Sequence, residues 1–286
     1  MVWNGIIAGY LFLAGVGAGA FSFAMLAGWR APEARKLKMA GMIVGILAVG
    51  IGTLLLVFDA KAGLLNPLRF FLLLSNFGSV MAWGTAILSA FLLVACVQVV
   101  VYWRSKKTPK ALDWVSIVLT VCVAAYTGVL LSASPAYPLW NFPILPVLFL
   151  ISAAGTGFAA AEVAGYACDR EGLKKAELPS VVGVVLPAVE LVVVIVLLAV
   201  TANAGGSAAE AGSGTVQGLL TGSWAPLFWV GFVIVGLLIP LATAVKAHRS
   251  KEVLTVASLA GWVCLLVGGF VLRYLVVLAA LPIVGY

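Results

Sequence analysis

The sequence predicts an all-α integral membrane protein with eight transmembrane helices, and three observations carry that reading. Of its 286 residues, 64% are hydrophobic and only 9% charged, and the mean hydropathy is +1.18. Eight apolar stretches each reach the roughly 20 residues that a helix needs to cross a bilayer core. The basic residues fall almost wholly in alternate gaps between those stretches. A soluble fold of this size has no way to hide so much apolar surface from water, whereas lipid accepts it.

The first four spans are expected over Gly5–Gly28, Met39–Phe58, Val80–Trp103 and Trp114–Ala133, and the second four over Phe142–Cys168, Pro179–Ala202, Ala225–Lys246 and Val253–Ala280. They are read as two four-helix bundles, residues 1–135 and 136–286, within one transmembrane domain 1–286, with no convincing sequence repeat between them. The first stretch has no basic residue before it and no cleavage context, so it reads as a retained helix rather than a signal peptide. Its Gly15, Gly17 and Gly19 imitate part of a dinucleotide fingerprint, but no strand precedes them; close helix packing through small residues is the expectation. Trp3, Trp29, Trp103, Trp114, Trp140 and Trp224 stand near span ends, as an interfacial aromatic belt requires.

The loops are asymmetric. Arg30, Arg35, Lys36 and Lys38 follow the first span, and Arg104, Lys106, Lys107 and Lys110 the third. Arg170, Lys174 and Lys175 follow the fifth, and Lys246, Arg249 and Lys251 the seventh. Fourteen of the seventeen basic residues therefore share one side, which the positive-inside rule makes cytoplasmic, with both termini outside. This segregation explains the net charge of +7 without nucleic acid. The basic loops read as short solvated linkers. The outer loops, LLNPLRFFLLLSNFGS (64–79) and SASPAYPLWNFPILP (132–146), are apolar enough to pack on each other or dock a partner. The Gly/Ser/Ala stretch 203–223 reads as a flexible surface loop.

His248 is the only histidine, so a haem held by two imidazoles is excluded. Cys96, Cys122, Cys168 and Cys264 are scattered singly through apolar segments; a cluster needs its thiolates close together, so these are expected to be small core residues, and no metal is expected in this chain.

Four segments taken together, YLFLAGVGAGAF (10–21), NPLRFFLLLSNFGSVMAWGTAIL (66–88), YTGVLLSASPAYPLWNFPILPVLFLISAAGTG (126–157) and GGFVLRYLVVLA (268–279), resemble the NrfD/polysulfide reductase membrane-subunit family, close to the dimethyl sulfoxide reductase anchors. The likeness spans nearly the whole chain in order. It implies a haem-free anchor in the inner (cytoplasmic) membrane, a non-autonomous part of an oxidoreductase that binds menaquinone or another quinone near the outer leaflet. It further implies a docked ferredoxin-like iron–sulfur subunit that feeds a molybdopterin catalytic subunit, with the surrounding membrane lipid as the remaining partner.

Ionisable groups at membrane depth cost a few kcal/mol or more, so each is a functional candidate. Glu190 stands 11 residues past Pro179, about 16 Å deep, and Glu162 roughly 10 Å from the inner end of its helix. Tyr126, Arg273, Asp59 and Tyr10 continue the ladder outward. Quinol oxidation releases two protons with two electrons, so a site needs donors to the quinone oxygens and a carboxylate that takes a proton. Tyr10, Asp59 and Tyr126 supply these, with Arg273 keeping Asp59 ionised or balancing transient negative charge. The resemblance favours the same four positions; Tyr10 stands where some relatives have histidine. A Glu162–Glu190 route would link the cytoplasm to the site and make proton translocation conceivable.

Plainer roles stay open beside these. Asp59 with Lys61 makes a simple interfacial ion pair, Arg273 snorkels to the headgroups, and the two tyrosines pack as ordinary aromatics. For the whole chain, the alternatives to the quinol-handling anchor are an ion-coupled secondary transporter and a passive tether. No pair of broken helices occupies corresponding positions in the two halves, which weighs against the first, and the cost of a mid-membrane Glu190 weighs against the second.

Overall fold

The computed structural model describes residues 4–59, 78–175, 179–250 and 254–283. Among the described residues, ten helices of six residues or more follow one another: α1 (Gly5–Arg30), α2 (Arg35–Asp59), α3 (Val80–Ser105), α4 (Lys110–Ser132), α5 (Ile144–Cys168), α6 (Arg170–Lys175), α7 (Pro179–Ala202), α8 (Ala209–Leu220), α9 (Leu227–Ser250) and α10 (Val256–Leu278). Among the described residues there is no strand. All but α6 and α8 are long and apolar enough to cross a bilayer, and the chain is a multi-pass membrane protein.

Local sequence sets the helix starts. The Asn4 side chain accepts from the Ile6 and Ile7 N–H groups at 2.9 and 3.2 Å, opening α1. Ser79 and Thr255 cap α3 and α10 in the same way. Helices α2 and α4 begin at Arg35 and Lys110, each a full turn before the expected apolar start. Their first turns, RKLK and KALD, are polar, a composition that hydropathy rejects and helix propensity accepts. In α9 the hydrogen bonds span one residue more than α-helical ones over Leu227–Leu238, with Ile239 N–H donating to the Ile234 carbonyl. The regular α-helix Ile239–Ser250 then starts beside Pro240, which has no N–H to contribute.

Helices α1 and α5 lie at the centre, each with 67% of its apolar window buried against other helices, compared with 22–33% for α2, α3, α7 and α9. The glycine triplet of α1 explains how α1 fits there. A Cβ on Gly17 would meet the Gly45 and Val49 backbone of α2, and one on Gly19 the Ala153 and Gly157 backbone of α5. One on Gly15 would come 2.7 Å from the Arg273 guanidinium of α10. Three small residues thus let three helices approach α1, by the small-residue packing expected of them.

The basic turns gather at one face. Lys175 pairs with Glu33 at 3.5 Å, the Leu37 N–H donates to Asp169, and the Tyr102 hydroxyl donates to the Arg35 carbonyl. Gly5, at the start of α1, packs on Tyr274, and the Ile283 N–H donates to the Ala136 carbonyl.

Three expectations need correcting. The stretch 203–223 is no flexible loop: it holds α8, which buries Ala211 and Leu219 and offers Thr215 Oγ1 to the Leu281 N–H at 3.0 Å. Its glycines serve close packing, with Gly212 against the Thr201 carbonyl. No cysteine is a core residue; Cys96 and Cys168 are exposed and the other two half-buried, on helix faces turned away from the protein interior. Trp140 is not a belt residue but buried, donating to the Val276 carbonyl at 2.8 Å and stacking on Tyr137. That packing consumes most of the outer loop 132–146, while Phe142 stays exposed.

Candidate functional site

Tyr10 faces inward from the second turn of α1, fully buried, and its hydroxyl has no hydrogen-bond partner among the described residues. Its titratable neighbour is Tyr126 of α4, itself 6% exposed. The Tyr126 ring lies over Gly84 of α3, where a Cβ would overlap it. Three helices therefore cooperate: α1 and α4 supply the phenols, and α3 supplies the absence of a side chain. Gly9, one residue before Tyr10, faces Leu55 of α2. Asp59 is one turn beyond Leu55 and ends α2. The Asp59 side chain, Lys61 and Arg69 lie outside the described residues.

Arg273 does not reach for headgroups. It is 0% exposed, five residues short of the end of α10, with its guanidinium turned into the bundle. Nε donates to the Leu11 carbonyl at 3.2 Å, and Nη1 donates to Ser152 Oγ at 2.8 Å and to the Gly269 carbonyl at 3.0 Å. The Phe149 and Phe12 rings lie 5.1 and 6.0 Å from it. Nη2 has no partner among the described residues. Ser152 also faces Glu190 of α7, which feels the Arg273 charge and keeps one carboxyl oxygen without a partner. A cation and a carboxylate placed near the same serine ease the burial of either alone. They also leave one donor and one acceptor unspent.

Leu11, which anchors Arg273, directly follows Tyr10. The tyrosine pair and the Arg273–Ser152–Glu190 group are therefore adjacent along α1. Glu162 stands apart, fully buried beside Trp262 of α10, with neither carboxyl oxygen hydrogen-bonded among the described residues.

The structure also holds a polar cluster that the sequence reading passed over. At the basic face, Asp113 of α4 is 2% exposed and accepts from Gln98 Nε2 at 2.6 Å, Thr108 Oγ1 at 2.6 Å and Trp29 Nε1 at 2.8 Å. Lys38 lies 3.5 Å from it and donates to Thr108 at 2.8 Å, and Ser116 donates to Gln98. Lys38 and Asp113 are therefore buried, not solvated, whereas Arg35, Lys106, Lys107 and Lys110 of the same turns are exposed. One signal was available: Gln98 is the only side-chain amide within the apolar run of α3.

Comparison with known proteins bears on this arrangement. Residues 1–285 match the family model described as polysulphide reductase, NrfD. The protein is similar to the C subunit of the polysulfide reductase of Wolinella succinogenes, 30% identical across 100% of this sequence and 96% of that one. It is also similar to "Protein NrfD" of Escherichia coli strain K12, 31% identical over 98% of this sequence and 95% of the relative. "Protein NrfD homolog" of Haemophilus influenzae is 29% identical over 84% and 82%.

Proposed function

We propose, from the premise that this chain belongs to the NrfD polysulphide reductase family, that it is the quinol-handling anchor of a redox complex of several subunits. One relative is by its name one component of a polysulfide reductase, which supports partner subunits here; we assign these as an iron–sulfur subunit and a molybdopterin subunit. The same premise and the basic-loop bias favour the cytoplasmic membrane with both termini outside.

The observation that carries the quinone assignment is a set of orphaned polar atoms on side chains linked through α1 and Ser152. The Tyr10 hydroxyl, Arg273 Nη2 and one Glu190 oxygen are all buried without partners. A buried polar atom without a partner costs about 1–3 kcal/mol, so three together fit a ligand that completes them. A quinone, with two oxygens that accept hydrogen bonds and take or release protons, suits that donor set.

A bound quinol supplies two electrons and two protons. Tyr10 and Tyr126 hold the ligand oxygens by their hydroxyls and exclude water with their rings. Asp59, at the outer end of α2, takes the two protons in turn and releases each at the adjacent surface. Arg273, pinned on Leu11, Ser152 and Gly269, keeps positive potential where negative charge develops and needs no reorganisation to do so. Electrons leave directly to the docked partner.

The test is quinol oxidation by the purified native complex carrying Tyr10→Phe or Asp59→Asn. Lost turnover with partner subunits still co-purifying supports the assignment. Unchanged turnover in both variants overturns it. A preparation that retains neither quinone nor redox partner redirects the reading to an ion-coupled transporter.

A further inference from the structure

We propose that the basic face of the first helices holds one anionic phospholipid, its phosphate in the cleft between the α1–α2 and α3–α4 turns and an acyl tail along α2. That cleft has a volume of about 770 Å³, and its walls include Trp29, Arg35, Lys106, Lys107, Lys110 and Trp114. A second, apolar groove of about 630 Å³ runs along Met39, Ala40, Ile43 and Val44 of α2. Arg35, Tyr102 and Lys106 line both, so a charged chamber opens into a greasy channel at membrane depth. A phospholipid has that same division.

The charge balance inside the cleft calls for an anion. Its two carboxylates are already taken: Asp113 by Lys38, Gln98, Thr108 and Trp29, and Glu33 by Lys175. Among the described residues, Arg35, Lys106, Lys107 and Lys110 have no carboxylate within ion-pair distance. Four like charges around one cavity repel unless a counter-charge joins them. The start of α4 adds to this, since Pro109 provides no side-chain cap and the helix's positive end faces the same turn.

The backbone supports the same conclusion. Lys106 sits in the left-handed region at φ 58°, where glycine is usual at a helix end, and its N–H closes on the Tyr102 carbonyl. That conformation costs a residue with a Cβ about 1 kcal/mol. The cost is accepted at a position that turns Lys106 and Lys107 back over the cleft. The tilted Trp29–Trp114 pair, 5.1 Å between centroids, sets the cleft at headgroup level.

The experiment uses the full-length protein, delipidated in detergent, with ligand binding followed by native mass spectrometry. Phosphatidylglycerol, phosphatidylcholine and inorganic phosphate are the probes. Each surface cation near an anionic headgroup is worth about fivefold in affinity, so Lys107→Gln with Lys110→Gln should weaken phosphatidylglycerol roughly 25-fold. Both lysines are exposed, and the variant should fold normally. Ala40→Phe, which fills the groove, should weaken phosphatidylglycerol but leave inorganic phosphate unchanged. Equal binding of the two lipids overturns the proposal, as does a charge variant that binds phosphatidylglycerol like the wild type. Phosphate binding as tight as the lipid, indifferent to Ala40→Phe, makes this a free-phosphate site and also overturns it.

Discussion

Replacing Gly84 with alanine should separate the position of Tyr126 from its chemistry. The new methyl falls inside the present volume of the ring, on its hydroxyl side. The ring must then retreat by about 1.7 Å before its atoms reach the roughly 3.5 Å at which carbon contacts become favourable. What moves is the far end of a side chain and not backbone, so the fold absorbs the change. Alanine within a helix gains up to about 1 kcal/mol over glycine, which offsets part of the repacking. Stability should therefore fall by no more than about 2 kcal/mol. Turnover should not escape so lightly, because an ångström of misplacement in a reacting group costs on the order of 10²-fold. Quinol oxidation by the assembled complex should fall tenfold to about a hundredfold, alongside Tyr126→Phe, which keeps the ring in place and removes only the hydroxyl. Wild-type turnover in Gly84→Ala, with partner subunits co-purifying, would show that the Tyr126 position has no part in the reaction.

Other perturbations have outcomes fixed by the same contacts. Glu190→Gln leaves Arg273 with a weaker counter-charge and should lower complex stability by about 1–3 kcal/mol, less than a broken contact pair because no direct ion pair joins the two. Adding Arg273→Met should restore melting temperature but not quinol turnover, which divides the structural from the chemical role. Asp113→Ala strands Lys38 and three further donors, and thermal unfolding in detergent should register a loss of about 3–5 kcal/mol; Lys38→Met in the same protein should recover part of it. Gly268→Ala forces a methyl into the Gly236 backbone, so α9 and α10 must separate and the yield of folded protein should drop well below that of Gly50→Ala, where a Cβ meets nothing.

The spans were legible because lipid imposes a one-dimensional rule, about 20 apolar residues per crossing, that composition can meet or fail locally. The segregation of basic residues was legible for a similar reason, as it is counted along the chain. What escaped depends on which faces meet. Hydropathy starts α2 at Met39 and leaves Lys38 in solvent; only the approach of α3 and α4 shows that Lys38 and Asp113 bury each other. Glycine-rich composition at 203–223 suggested a loop, but the same glycines allow α8 to settle against Thr201. In the candidate site, Tyr10, Tyr126, Glu190 and Arg273 were each found as costly groups at membrane depth. Ser152 was not, since a lone serine in an apolar helix carries no cost that marks it, yet it accepts from Arg273 and faces Glu190.

Glu162 and Glu190 occupy facing helices but different depths, and this decides what each can do. Gly155 of α5 lies against Leu186 of α7, and Phe158 lies near Gly183, so the helices run antiparallel and Ser152 comes level with Glu190. Glu162 is ten residues further along α5, about 15 Å toward the basic face. The polar side chain between them on that face is Thr156, whose hydroxyl donates to the Ser152 carbonyl of its own helix at 2.7 Å while its methyl packs on Gly269. No hydrogen bond links the two carboxyls among the described residues. In the other direction, Trp262 beside Glu162 borders a cavity of about 30 Å³ that Thr243 and Ser258 also line, room for a water molecule with polar partners. Glu162 therefore faces the polar groups nearer the basic face, and Glu190 those around Ser152 and Arg273. Glu162→Gln should leave quinol oxidation within about twofold of wild type, the change expected when no proton in the reaction passes through the altered group. Glu190→Gln should lower it. Equal loss in both variants, with the complex intact, would mean that protons cross the Thr156 gap during turnover, and the separation argued from these contacts would be wrong.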